Sequence, residues 1–162
     1  MEQLFNQLSE KLLKSLDADE HMKVSIDGEN SQFVRFSQSK VRQAGLVDDT
    51  SLSISLIKDG RTCSGSFTLT GNSETDEKTA YMELERMREE VVSLPKDPFV
   101  VLPEDTGSSR EDHNGSLLSQ ENAVSALSPA MQEVDLAGIW ASGRIFIGNA
   151  NSAGQKHWFT TD

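Results

Sequence analysis

The chain has 162 residues, a single cysteine, and 26 acidic against 15 basic side chains, a formal net charge of −11. That length holds one domain with its own core. The charge excludes nucleic acid or an anionic membrane as a partner held by a general field. The lone Cys63 excludes an internal disulfide and fits a reducing compartment. No apolar run approaches the ~20 residues of a membrane span. Glu2 stands where a signal peptide is basic, and no apolar core follows it, so the sequence reads as cytoplasmic.

From Glu2 to Leu16, Leu4, Leu8, Leu12 and Leu16 recur every four residues, with Phe5 and Leu13 widening the stripe. This is an amphipathic helix whose last turn carries Lys11 and Lys14. His21 to Ile26 reads as a strand, and Asp27-Gly28-Glu29-Asn30 as a turn. Gln32–Ser37 and Lys40–Leu46 read as an antiparallel pair carrying a small basic cluster of Arg35, Lys40 and Arg42.

From Ser51 to Leu56 the pattern is strict. Leu52, Ile54 and Leu56 alternate with Ser51, Ser53 and Ser55. Asp59-Gly60 follows, a dipeptide that accepts positive φ at both central turn positions. Then Cys63, Phe67 and Leu69 alternate with Thr62, Ser64, Ser66, Thr68 and Thr70. Thr50–Lys58 and Arg61–Thr70 are therefore the two arms of a hairpin with one wet, hydroxyl-rich face.

Ser73 is placed to cap a long helix with Glu74, Asp76 and Glu77 in its first turn and Pro95 at its end. Its stripe is Tyr81, Leu84, Met87, Val91 and Leu94, and its acidic outer face reads as solvated. Phe99–Leu102 is a short apolar run between Pro98 and Pro103, and residues 103–116 read as a flexible loop without periodicity. Ser119 caps a further helix through Ala123, Val124 and Leu127. Val134–Ile147 and Gln155–Thr161 then form a C-terminal β-hairpin around turn residues Asn149-Ala150-Asn151-Ser152-Ala153-Gly154. The fold class expected is α+β: a mostly antiparallel sheet, an N-terminal helix, a long helix after the central hairpin and a C-terminal hairpin. Residues 1–162 are expected to form one domain, read as the N-terminal domain of a longer chain.

No residues propose catalysis. A hydrolytic site needs a nucleophile, a base and an orienting group. Three scattered histidines and an inward-facing cysteine supply none of these. There is no His-Glu-x-x-His helix, no Walker loop and no Gly-x-Gly-x-x-Gly after a strand. The sequence thus assigns no catalytic, cofactor-binding or metal-binding residue.

The order and spacing of four motifs carry a resemblance. They are an Arg-bearing strand at Phe33–Phe36, the Gln43-Ala44-Gly45 step, the Asp59-Gly60-Arg61 hairpin and the late Asn151-Ser152-Ala153-Gly154 turn. The chain resembles the N-terminal domain of the TldD/PmbA family, modulators of DNA gyrase that act as metallopeptidases. The resemblance implies a cytoplasmic, two-domain protein more than twice this length. The charge and hydropathy lead us to expect no direct nucleic acid or membrane partner; the resemblance implies dimers, homo- or heteromeric, that enclose a chamber for unfolded peptide substrates. It also implies zinc on a His-Glu-x-x-x-His helix and a later Cys, both in the region after this domain, and a metal-free partner branch. On that resemblance this chain is the non-catalytic lobe that shapes the chamber or the dimer, and no cofactor is expected in it. The alternative from another class is a free-standing acidic interaction module or adaptor without enzymatic activity.

Overall fold

The structure is a computed structural model that describes residues 1–132 and 134–162. Its elements in chain order are helix α1 (Glu2–Lys14), strands β1 (Glu20–Ser37), β2 (Lys40–Lys58) and β3 (Arg61–Thr68), helix α2 (Ser73–Val91), strand β4 (Ser109–His113), helix α3 (Gln120–Leu127) with a 3-10 turn (Ser128–Gln132), and strands β5 (Gly138–Asn151) and β6 (Lys156–Thr161). The strands form one sheet in the order β3-β2-β1-β5-β6-β4. The α+β class, the leading helix, the long helix after the central hairpin and the closing pair of strands are as the sequence predicts.

The chain divides into two compact units. The first comprises Met1–Asp27, Thr50–Glu111 and Ile147–Phe159; the second comprises Gly28–Asp49, Asp112–Phe146 and Thr160–Asp162. In the first unit, alternation along β1 and β2 sends Met22, Val24, Ile26, Leu52, Ile54 and Leu56 inward. α1 contributes Phe5, Leu8 and Leu12, and α2 contributes Ala80, Leu84, Met87 and Val91. Tyr81 and Leu94, expected in the α2 stripe, are only half-buried. The cap of α2 is Asn72 rather than Ser73: its Oδ1 accepts from the Thr75 N–H at 3.0 Å. Buried Asp76 fastens the preceding loop by accepting from the Thr70 N–H, the Thr70 hydroxyl and the Gly71 N–H.

Two expectations change. The turn expected at Asp27–Asn30 is continuous strand, because β1 has ladder partners on both sides and pairing overrides turn-forming composition. β2 likewise runs unbroken from Lys40 to Lys58. Within residues 103–116, read as a loop, Ser109–His113 is strand β4.

In the second unit the turn between β1 and β2 uses Gln38 and Ser39, both at positive φ (52° and 54°). Neither residue is suited to that region. The strain is offset by bonds from a distant segment. The Ser39 N–H donates to the Leu136 carbonyl at 3.0 Å, and its hydroxyl donates to the Val134 carbonyl and accepts from the Leu136 N–H.

Candidate functional site

The motifs behind the family resemblance have structural work in this molecule. Asp59 and Gly60 both take positive φ (50° and 70°), the geometry of a two-residue hairpin turn, with Lys58 opposite Arg61. Arg61 donates to the Leu94 carbonyl at 2.8 Å, and the Asp97 N–H donates to the Gly60 carbonyl at 2.7 Å, so the hairpin tip holds the chain leaving α2. Lys96 and Arg61 flank the Asp59 carboxylate and hold its pKa below the usual range. Gly45 lies against the Phe33 ring, where a Cβ would stand 2.7 Å from Cε1.

Asn151 is buried and spends its whole amide locally. Its Oδ1 accepts from the Ala153 and Gln155 N–H groups at 2.9 and 3.2 Å, and its Nδ2 donates to the Glu104 carbonyl and to Gln155 Oε1. Ser152 adds an exchange with Met22: the Met22 N–H donates to its hydroxyl, and its own N–H donates to the Met22 carbonyl. Thus the late Asn-Ser-x-Gly turn is a clasp that ties the end of β5 to β1 and to the chain at Glu104.

The titratable groups are equally committed. Glu20 has no exposed side-chain surface, and accepts from Arg88, Lys58 and the Asp17 N–H. Burial alone raises its pKa; the bonds from Arg88, the Asp17 amide and Lys58 together outweigh burial and leave it lowered. Cys63 is buried, as its alternation predicts, and burial followed by its contact with Glu90 pushes the thiol up, away from a nucleophilic thiolate. His157 Nδ1 lies 2.8 Å from the Ser109 hydroxyl, a pairing between β6 and β4 that spacing alone did not reveal. Among the described residues no carboxylate completes that pair into a triad, and no group of three His, Cys, Asp or Glu side chains is disposed to hold a metal.

A shallow depression of about 340 Å³, whose lining includes Glu10, Lys14, Ser152 and Lys156, remains open, as does the wet face of the sheet. Lys23, Ser25, Ser53, Ser55, Ser64 and Ser66 line a shallow depression of about 300 Å³. Ser53 stands opposite Ser66 and Ser55 opposite Ser64, and the Ser64 hydroxyl donates to that of Ser55 at 3.1 Å. Ser25 donates to Asn149 Oδ1 at 2.7 Å. This surface offers hydroxyls and one ammonium, donors and acceptors suited to polar groups. A larger concavity, about 780 Å³, follows one outward stripe of α2 from Glu74 to Glu89. All its lining residues belong to that single helix, so it is the spacing between side chains on a solvated face.

No family model and no curated protein sequence matches the chain. Solved structures do share its fold. TldE from Thermococcus kodakarensis superposes with a TM-score of 0.64 at 14% identity, covering 99% of this chain and 36% of its own. A protein of Bacteroides thetaiotaomicron VPI-5482 named as a modulator of DNA gyrase gives 0.61 at 17%, covering 98% and 38%. One of Thermotoga maritima MSB8, named as a modulator of a DNA gyrase, gives 0.60 at 14%, covering 99% and 37%. The TldD/PmbA-type fold expected from the motifs is therefore the fold observed. The chain spans a little over a third of the length of these structures. No helix among the described residues is long and apolar enough to cross a membrane.

Proposed function

We propose that the chain is a non-catalytic lobe of a TldD/PmbA-like assembly in the cytoplasm, one that shapes a peptide chamber or a dimer. One observation carries this reading: the superposition takes in 98–99% of the chain, so the whole of it corresponds to one domain-sized part of TldE and of the gyrase-modulator proteins. The family motifs add support, since each serves as a clasp or a close contact, as a scaffold domain requires. On this reading zinc, where the assembly uses it, is held outside these 162 residues, and the substrate is an unfolded peptide.

The test compares this chain with the longest natural product of its gene, side by side, for zinc content and for cleavage of an unfolded peptide. Zinc and cleavage in the longer product alone are expected for the catalytic branch. A longer product without metal that forms a complex with a zinc-bearing relative is expected for the partner branch. Cleavage by the 162-residue chain itself overturns the reading. A gene product ending at Asp162 that forms no such complex replaces it with the adaptor.

A further inference from the structure

We infer that the free edge of β3 is a docking site for one extended peptide strand of neutral to basic character. The two outer strands of the sheet are β3 and β4, and their edges differ in chemistry. β4 carries Arg110, Glu111 and Asp112 in succession and is exposed throughout, the guarded kind of edge that repels strand addition. From Thr62 to Thr68, β3 has no charged residue and no proline.

The register fixes which backbone groups face outward. Ser51 lies opposite Thr68 and Lys58 opposite Arg61, and the Leu69 N–H donates to the Thr50 carbonyl at 2.8 Å. Hydrogen-bonded pairs therefore fall at 50/69, 52/67, 54/65 and 56/63. The amides and carbonyls of Thr62, Ser64, Ser66 and Thr68 point away from β2. All four residues are exposed, and among the described residues nothing hydrogen-bonds to these backbone groups. An added strand would gain a ladder without displacing anything.

Charge chooses the occupant. On the covered side of β3, Glu83 lies over Gly65 and Glu90 reaches Cys63, and Arg86 binds both carboxylates, so alternate side chains of an added strand meet a cluster with one net negative charge. The other side chains meet the hydroxyls of Ser64 and Ser66. A second copy brings a further −11 against the −11 already present. A peptide bearing Lys or Arg at alternate positions meets neither obstacle. That this strand is a substrate rests on the function proposed above; that the edge accepts a strand does not.

The test is fluorescence anisotropy with the 162-residue chain and labelled decapeptides of alternating Thr and Val. One carries two Lys, a twin carries two Glu, and a third is the Lys peptide methylated at alternate backbone nitrogens. Saturable binding of the Lys peptide is expected, weaker by about tenfold for the Glu twin and abolished by methylation. Ser66→Pro removes an outward N–H, and Ser64→Pro removes an outward N–H together with the hydroxyl bonded to Ser55; both spare the backbone bonds of the β2–β3 ladder and are expected to abolish binding. The methylated peptide keeps the test decisive where a proline variant misfolds. Absence of saturable binding, or binding indifferent to methylation, overturns the inference. So does sedimentation showing a dimer that the proline variants dissolve, since the edge then belongs to a second copy. Loss of zinc or cleavage in the longer gene product would remove the chamber and leave this binding untouched.

Discussion

The two units share the strands β1 and β2, yet they bury very different amounts of apolar surface. Among the described residues the first unit holds eighteen buried hydrophobic side chains and the second four: Val34, Phe36, Ala123 and Phe146. Each unit exposes seven large hydrophobic side chains among the described residues, in the second Val41, Leu46, Leu117, Leu118, Val134, Ile139 and Ile145, so it is in burial that they differ. Strand pattern cannot explain the difference, since the same strands pass through both. The first unit has the 13-residue α1 and the 19-residue α2 packed against each other, whereas the second has the eight-residue α3. A sheet is as stable as its cover makes it, so cooperative stability should concentrate in the first unit.

The largest test of that contrast is Leu84→Ala. It empties a fully buried site and should cost about 3–4 kcal/mol in a denaturant melt. Next is Glu20→Ala, which removes the buried partner of Arg88 and Lys58, leaving Glu85 to the first and Asp17 and Asp19 to the second. These cations keep partial solvent contact, so the loss should be about 2–3 kcal/mol, below that of a fully buried pair. Because the folded pKa of Glu20 is lowered, its contribution is complete above the unfolded carboxylate value near ~4.3 and is lost as pH falls through the folded value. Glu20→Gln should therefore flatten the acid limb of a stability–pH curve, and an unchanged limb would show that other carboxylates set it.

Gly148→Ala comes third. Its Cβ would stand 2.8–2.9 Å from Ile26, Phe5 and Trp158, an overpacking worth about 1–3 kcal/mol. In the second unit, Gly143→Ala places a Cβ 2.3 Å from the Ser31 Cα, where only backbone could yield. Its effect should appear as faster amide exchange around Ser31, with little change at Val24, Leu52, Ile54 and Leu56 on the first unit's stretches of the same strands. The smallest effect is expected from Ile139→Thr, at a site 67% exposed, within about 0.5 kcal/mol. A loss well above that would mean the second unit buries more than its surface shows.

Much of this was legible in the sequence because it is local. The alternation from Ser51 to Leu56, the Asp59-Gly60 turn and the leucine spacing of α1 each encode a short-range geometry, and each forms where expected. What escaped is what distant chain supplies. Asp27–Asn30 reads as a turn until strands flank it on both sides, and although the paired strands place a turn at Gln38-Ser39, its left-handed geometry is held by bonds from residues 134 and 136. β4 has no periodicity because it is exposed throughout. Of the candidate site, the hydroxyl face was visible in the Ser/Thr alternation. Which backbone groups point outward was not, since that depends on the partner strand's register.

The first unit also sets a condition on how the protein is made. It is assembled from three separated stretches, and the Phe5 ring meets the Trp158 ring at 6.1 Å between centroids. At ribosomal rates of about 5–20 residues per second, roughly 8–30 s pass between the synthesis of those two residues. Through that interval Phe5, Leu8 and Leu12 lack part of the surface that will cover them. Nascent chains would carry an apolar helix in search of a cover, and a chaperone that takes up such helices would compete with the fold until Trp158 arrives.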